Sequence, residues 1–231
     1  MPEPIRIDVT ATEHATAVVY PAVRDRAGIT FILAHGAGAN QSHPFMVRFA
    51  HALAERGIDT VTFNFLYTEA RRRVPDRNDK LEACWRTMIA AFRDGRLGEK
   101  DNRLAIGGKS MGGRIASQVT AAPGEADAIA GLVLLGYPLH PPGQPDKLRT
   151  AHLPAIRTPM LIVQGSRDAF GTPDELRPVL APLKAPVDLF VVEGGDHSFK
   201  VPKKVAPQDA VYERVLDEVS GWLRRLSRAD A

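Results

Sequence analysis

A glycine–serine pattern near the middle of the chain has the spacing of a nucleophile turn. Residues 108–112 read Gly-Lys-Ser-Met-Gly, which matches G-x-S-x-G with Ser110 at its centre. In this pattern a strained strand-to-helix turn lifts the serine hydroxyl above a sheet, and the flanking glycines avoid collisions. An apolar run precedes the turn and a helical pattern follows it, so we expect Ser110 to be a nucleophile. The alternative is a glycine-rich turn whose serine is idle or only caps the helix.

A serine nucleophile needs a base, and the base needs an acid that orients it. Asp168 and His197 each follow an apolar run that predicts a strand, and they come after Ser110 in the order nucleophile, acid, histidine. We therefore predict these three residues to be a catalytic triad. The competing aspartates begin a helical segment, open a strand or directly precede the histidine. They are Asp174, Asp188 and Asp196.

Two backbone N–H groups are predicted to form an oxyanion hole. The helix after Ser110 directs its free N–H groups at the site, and Met111 carries the first of them. Residues 34–39 follow an earlier apolar run, and Ala37 is expected to supply the second N–H, with Gly38 as the alternative. Four further residues are predicted at the substrate pocket: His35, Gly38, Tyr67 and His140. For the first of these, a hydrogen bond that shapes the loop is favoured over catalysis.

The elements that must position these residues alternate along the chain. Short apolar runs followed by amphipathic segments predict a mainly parallel, doubly wound sheet, with strands covered on both faces. The predicted strands are residues 29–34, 58–65, 104–107, 129–135, 160–163 and 189–192, after one or two edge strands in the first twenty residues. The predicted helices are residues 44–56, 80–97, 111–121, 173–180 and 208–226. We predict one α/β domain over residues 1–231, with about 6–8 strands, helices on both faces and no large cap.

Two segments between these elements each allow two interpretations. Residues 136–154 carry five prolines, which predict an ordered surface excursion. It either lies over one edge of the active site or simply connects two elements. Residues 67–80 are rich in basic side chains and form either a cationic rim for an anionic substrate or a surface loop with internal ion pairs, which is favoured. The basic residues are Arg71, Arg72, Arg73, Arg77 and Lys80, and the acidic ones are Glu69, Asp76 and Asp79.

The composition excludes several other classes of protein. The chain has 231 residues, of which 44% are hydrophobic and 25% charged, and its net charge of +3 accompanies no nucleic-acid-binding motif. Cys84 is the single cysteine, so no internal disulfide is expected, and we predict a cytoplasmic protein without a signal peptide or membrane partner. No metal-spaced cluster and no dinucleotide-binding glycine motif is present, so neither a metal nor an organic cofactor is expected.

Assembled, these motifs resemble one branch of the α/β-hydrolase superfamily. It is the dienelactone-hydrolase-like branch that includes the third subunit of the nuclear NSL histone-acetylation complex. The matching stretches lie between about residues 29 and 200 and read LAHGAGAN, FNFLYTEARRRVPDR, GGKSMGGRIAS, GYPLHPPG, QGSRDAFG and GGDHSF. The resemblance implies the α/β-hydrolase fold and the roles given above to Ser110, Asp168 and His197. Dienelactone hydrolases proper use a cysteine nucleophile, so no dienelactone substrate is implied, and Cys84 lies in a helical segment.

The activity expected from these residues is hydrolysis of a small-molecule carboxylic ester or thioester through an acyl-enzyme intermediate. One alternative is a catalytically quiet binding or scaffold protein, since some members of this branch are known as components of complexes. The other is an acyltransferase that uses the same triad with an alcohol or amine acceptor in place of water.

Overall fold

Eight strands form one sheet in the computed structural model, which describes residues 3–124 and 129–227. Their order is β1-β2-β4-β3-β5-β6-β7-β8, and β2 is antiparallel to both of its neighbours while the remaining pairs are parallel. The predicted doubly wound, mostly parallel sheet is therefore confirmed. The strands are β1 (Ile5–Asp8), β2 (His14–Tyr20), β3 (Ile29–Ala34), β4 (Asp59–Phe63), β5 (Arg103–Lys109), β6 (Gly131–Leu135), β7 (Met160–Gly165) and β8 (Val187–Val192).

Helices cover both faces of this sheet, as predicted. Those on one face bury residues such as Trp85 and Ile115, and those on the other bury Phe49 and Trp222. The helices are α1 (Pro44–Glu55), α2 (Leu66–Glu69), α3 (Asn78–Arg93), α4 (Met111–Thr120), α5 (Pro173–Leu180) and α6 (Gln208–Ser227). The first face carries α3, α4 and α5, and the second carries α1 and α6. No large cap domain is present in the described residues.

The segment predicted as a loop over residues 67–80 contains additional helix. It starts inside α2, a single turn that is too short to show a helical period, and its last residues belong to the first turn of α3. The predicted helix over residues 80–97 ends earlier, at Arg93, because Gly95 adopts a positive φ of 73° just beyond it.

The proline-rich segment 136–154 is ordered and folds back on itself beside the sheet. The Arg149 N–H donates to the Leu139 carbonyl at 2.8 Å, and the Tyr137 hydroxyl donates to the Arg149 carbonyl at 2.6 Å. Its regular structure amounts to one 3-10 turn at Leu153–Ala155. Within the described ranges, no helix combines the length and the apolar character that a membrane crossing requires.

Candidate active site

Ser110 occupies a sharp turn between β5 and α4. Its backbone angles, φ 51° and ψ −116°, lie in a region that a serine rarely adopts, at a cost of about 1–3 kcal/mol. The Ser110 N–H donates to the Leu135 carbonyl at 3.0 Å, which ties the turn to the end of the neighbouring strand β6. The strained backbone is thus held in place by the sheet.

The positions on either side of this turn have no room for a side chain, so both must be glycine. A Cβ atom on Gly108 would lie 2.5 Å from the Ala34 carbonyl oxygen, and one on Gly112 would lie 2.6 Å from the His35 carbonyl oxygen. Both contacts are with backbone at the end of β3 and the start of the loop after it, which cannot move without displacing the strand. The spacing of the G-x-S-x-G pattern therefore reflects close packing between this loop and the turn.

Three side chains form a continuous hydrogen-bonded chain at the carboxyl edge of the sheet. The His197 Nδ1 lies 2.7 Å from Asp168 Oδ2, and its Nε2 lies 2.8 Å from Ser110 Oγ. Because a buried carboxylate accepts hydrogen bonds, Nδ1 carries the proton and Nε2 is free to accept the serine hydroxyl hydrogen. The structure thus brings together the three residues that the sequence selected as nucleophile, acid and base.

Asp168 is held rigidly by further donors. Its side chain is fully buried, Oδ2 also accepts from Gln164 Nε2 at 2.9 Å, and Oδ1 accepts from the Phe170 N–H at 2.8 Å. Gln164 lies on β7 and also donates to the Gly171 carbonyl at 2.6 Å. Sequence reasoning missed this glutamine, although a polar residue in an otherwise apolar strand was a signal that could have found it.

The loop after β8 positions His197. The Asp196 Oδ1 accepts from the N–H groups of Ser198 and Lys200 at 2.7 and 2.9 Å, so this aspartate shapes the loop. The Phe170 ring packs against the imidazole, with the ring centroids 4.2 Å apart. His197 retains 21% of its side-chain exposure, and Ser110 Oγ therefore faces a site that a substrate can reach.

The two predicted oxyanion donors both face the cavity. Met111 is the first residue of α4, and Ala37 lies in the loop after β3. In the part of the chain that the structure describes, neither N–H donates a hydrogen bond to another group. Both are therefore available to an oxygen atom that develops charge beside Ser110.

Of the four residues predicted at the pocket, only Gly38 lines the cavity. His35 is fully buried, with Nδ1 2.9 Å from the Gly36 carbonyl, and burial lowers its pKa to about 4, so it stays neutral and shapes the loop. Tyr67 is buried in the core, where it packs against this histidine. His140 points away, because Pro141 O and Glu175 Oε1 occupy its two ring nitrogens at 2.9 and 3.2 Å.

None of the arginines in segment 67–80 lines the cavity. Arg72 pairs with Asp76 at 2.6 Å and Arg77 pairs with Asp79 at 2.9 Å, as the surface-loop interpretation expected. Glu69, expected to pair with an arginine, instead accepts from the Thr16 N–H at 2.9 Å.

The cavity in front of Ser110 has a volume of about 620 Å³, within the range of small-molecule sites. Its apolar walls include Phe45, Met46, Leu81, Phe170 and Tyr212. Its charged lining residues are Asp76, Lys109, Arg114, Arg149 and Lys200. Sequence reasoning did not assign any of these to the pocket, because they come from widely separated parts of the chain.

Burial shifts the pKa of two other reactive side chains, Lys109 and Cys84. Burial lowers the pKa of Lys109 to about 8, while the carboxylates of Asp168 and Asp196 oppose this shift. Its Nζ atom is buried, lies 5.5 Å from the centre of the Phe199 ring and has no hydrogen-bond partner among the described residues. Burial raises the pKa of Cys84 to about 11, so its thiol stays protonated and is not a nucleophile.

The fold and the turn at Ser110 define the class: this is an α/β hydrolase. The profile of a family described as an alpha/beta hydrolase domain matches residues 27–224, most of the chain. The chain therefore belongs to that family.

Solved structures of several bacterial proteins have the same fold. An alpha-beta serine hydrolase homologue from Coxiella burnetii matches with a TM-score of 0.72 and 19% identity, over 97% of both chains. A serine hydrolase without a lid from Xanthomonas campestris matches with a TM-score of 0.70 and 21% identity, over 98% of this chain and 93% of that one. The dienelactone hydrolase from Anabaena variabilis matches with a TM-score of 0.73 and 18% identity, over 97% of both chains.

Proposed function

We propose that this protein is a serine hydrolase that cleaves carboxylic ester or thioester bonds of small molecules. The observation that carries the proposal is the hydrogen-bonded chain from Ser110 Oγ through His197 to the buried Asp168, which opens onto a cavity. A serine hydroxyl becomes a competent nucleophile when a base accepts its proton and a fixed acid stabilises the charged base.

The first half of the reaction is acylation. Ser110 Oγ attacks the carbonyl carbon while His197 Nε2 takes the hydroxyl proton, and the carbonyl oxygen becomes an oxyanion. The N–H groups of Met111 and Ala37 donate to that oxygen, and the positive end of α4 adds to the stabilisation. His197 then protonates the leaving group, which is the oxygen of an alcohol or the sulfur of a thiol. The acyl group remains bound to Ser110 Oγ as an ester.

The second half is deacylation by water. His197 Nε2 accepts a proton from a water molecule that attacks the acyl-serine carbonyl, and the same N–H groups hold the second oxyanion. Collapse of this intermediate returns the proton to Ser110 Oγ and releases the carboxylic acid. Asp168 stabilises the imidazolium in both halves and keeps Nδ1 protonated throughout.

The proposal is tested by steady-state hydrolysis of short-chain 4-nitrophenyl esters and matching thioesters. We expect Ser110→Ala to lower kcat by at least about 10⁴-fold, because the nucleophile is lost. Ser42→Ala is the matched control, since this serine is exposed and lies outside the cavity wall. Hydrolysis at an unchanged rate by folded Ser110→Ala protein would contradict the proposal.

A further inference from the structure

Two arginines lie at one side of the cavity beside the candidate nucleophile. Arg114 lies one turn into α4, and its N–H donates to the Ser110 carbonyl at 3.0 Å, which places it about 6 Å along the helix from that residue. Arg149 comes from the proline-rich segment 136–154 and lines the same cavity. Only the fold brings them together, because they belong to different elements.

Neither guanidinium has an acidic partner. Arg114 donates to the amide oxygens of Gln118 and Asn78 at 3.2 and 3.3 Å, and Arg149 donates to the Pro138 carbonyl at 3.4 Å. These acceptors are neutral, and no carboxylate within the described ranges lies within ion-pair distance of either side chain. Each guanidinium has five N–H donors, so most of them remain available.

Several arginines elsewhere in the described chain have acidic partners. Arg56 pairs with both Glu213 and Asp217, and Arg48 pairs with Asp209 and Glu213.

Arg157 and Arg224, by contrast, donate only to carbonyl oxygens within the described residues. What distinguishes Arg114 and Arg149 is that both line the cavity beside Ser110.

The charges around the pair do not neutralise it. Burial and the positive charge of Arg149 both lower the pKa of Arg114, and the nearby Glu82 is engaged by Arg86 at 3.0 Å. His152 beside them is neutral at physiological pH, because burial and Arg114 lower its pKa to about 4.

Among the described residues, one acidic side chain lines the cavity. Asp76 Oδ1 accepts from Arg72 at 2.6 Å and its buried Oδ2 has no hydrogen-bond partner there, but Asp76 forms no ion pair with Arg114 or Arg149. Two partly buried like charges without a counter-ion are unfavourable unless a negative group binds between them.

We propose that Arg114 and Arg149 form an anion subsite that binds a carboxylate on the substrate, so that the preferred substrates are esters or thioesters with a carboxylate a few bonds from the reacting carbonyl. This inference rests on the proposed hydrolase function. Planar guanidinium groups match a carboxylate in two-point hydrogen bonding, which fixes the orientation of the substrate as well as its affinity. The apolar walls of the cavity would contact the chain between the carboxylate and the scissile bond.

The test compares matched pairs of esters. Monomethyl esters of C4 to C8 dicarboxylic acids are compared with methyl esters that carry a carboxamide in place of the carboxylate, with acid release followed in a pH-stat. We expect wild-type protein to prefer the charged member, and Arg114→Gln and Arg149→Gln each to reduce the charged-to-neutral ratio of kcat/KM about tenfold, mainly through KM. Arg73→Gln is the matched control, because it removes one exposed positive charge away from the cavity.

A binding measurement separates failure of the subsite from failure of the hydrolase proposal. Calorimetric titration of the Ser110→Ala chain with monomethyl glutarate needs no turnover, and we expect Kd to rise about tenfold when either arginine is replaced by glutamine. Equal turnover of charged and neutral esters by wild type would overturn the subsite, as would an unchanged ratio in both glutamine variants. If wild type hydrolyses neither ester, a Kd that is insensitive to both substitutions overturns the subsite, and a sensitive Kd supports it.

Discussion

At the scale of single residues, Asp168 combines complete burial with three hydrogen-bond donors. The donors are His197 Nδ1, Gln164 Nε2 and the Phe170 N–H. A carboxylate held in this way determines which ring nitrogen of the histidine carries the proton. The proposed activity of Ser110 therefore depends on a residue that does not touch it.

Replacing this carboxylate by an amide should disable the base. We expect Asp168→Asn to lower kcat for ester hydrolysis about 10⁴-fold, because the histidine would adopt the wrong tautomer and its charged form would lose its partner. Asp174→Asn makes the same chemical change at a side chain that is 93% exposed and should leave kcat close to that of wild type. Equal activity of the two variants would exclude the assigned role of Asp168.

Lys109 has a separate consequence for stability. Between pH 8 and 10.5 the folded chain has released the Lys109 proton, whereas the unfolded chain still binds it. The free energy of unfolding should therefore rise with pH across this window, by about 1.4 kcal/mol per pH unit. We expect Lys109→Met to be more stable than wild type at pH 7 and to lose this advantage by pH 10.5. Urea unfolding at both pH values measures the difference, and a difference that is independent of pH would show that the buried ammonium is not its cause.

The sequence could identify those site residues whose positions relative to the strands and to one another are fixed by the fold. Ser110, Asp168 and His197 stand at strand ends in a required order, and the structure brings their side chains into contact. Arg114 and Arg149 carry no such signal, because their meeting depends on how a helix and a proline-rich segment fold around one cavity. The sequence pattern also does not reveal which way the side chain of a loop residue points, as His35 and His140 show.

At the scale of elements, the close contact between the end of β3 and the start of α4 constrains the site. A methyl group on Gly112 would collide with backbone atoms of both Ala34 and His35. Because these atoms lie where β3 passes into the loop that carries the Ala37 N–H, a larger residue at position 112 would disturb the turn and the proposed oxyanion hole together.

We therefore expect Gly112→Ala to lower the free energy of unfolding by about 1–3 kcal/mol and to reduce kcat as well. Gly221→Ala on α6 is the matched control, since a Cβ there would meet no atom within 4 Å. That substitution should stabilise the protein by about 0.5–1 kcal/mol, because alanine favours the helix over glycine. Chemical denaturation of both variants distinguishes these outcomes, and an equal change in the two would contradict the steric argument.

The elements themselves were largely predictable. The boundaries of β3 and α5 match the sequence prediction residue for residue, because apolar runs and a Thr-Pro start with a capping glutamate mark them clearly. The exception is α2, which is one turn long and is stabilised by contacts with distant residues such as Thr16. Local patterns do not encode such contacts.

At the scale of the whole molecule, the parallel sheet gathers residues from distant parts of the chain at one edge. The loops after β3, β5, β7 and β8 end there and contribute Ala37, Ser110, Asp168 and His197. Parallel strands with helices on both faces make this convergence a property of the fold. The walls of the cavity are completed by residues of α1, α3, α4, α6 and segment 136–154, where selectivity for a substrate would be set.

The most direct test of the central claim is labelling by a fluorophosphonate probe, which reacts with an activated serine without requiring a known substrate. The account predicts that wild-type protein is labelled, that peptide mapping places the adduct on Ser110, and that Ser110→Ala protein is not labelled. Absence of labelling in folded wild-type protein, or equal labelling of the Ser110→Ala variant, would contradict the account and favour a binding or scaffold role for this fold.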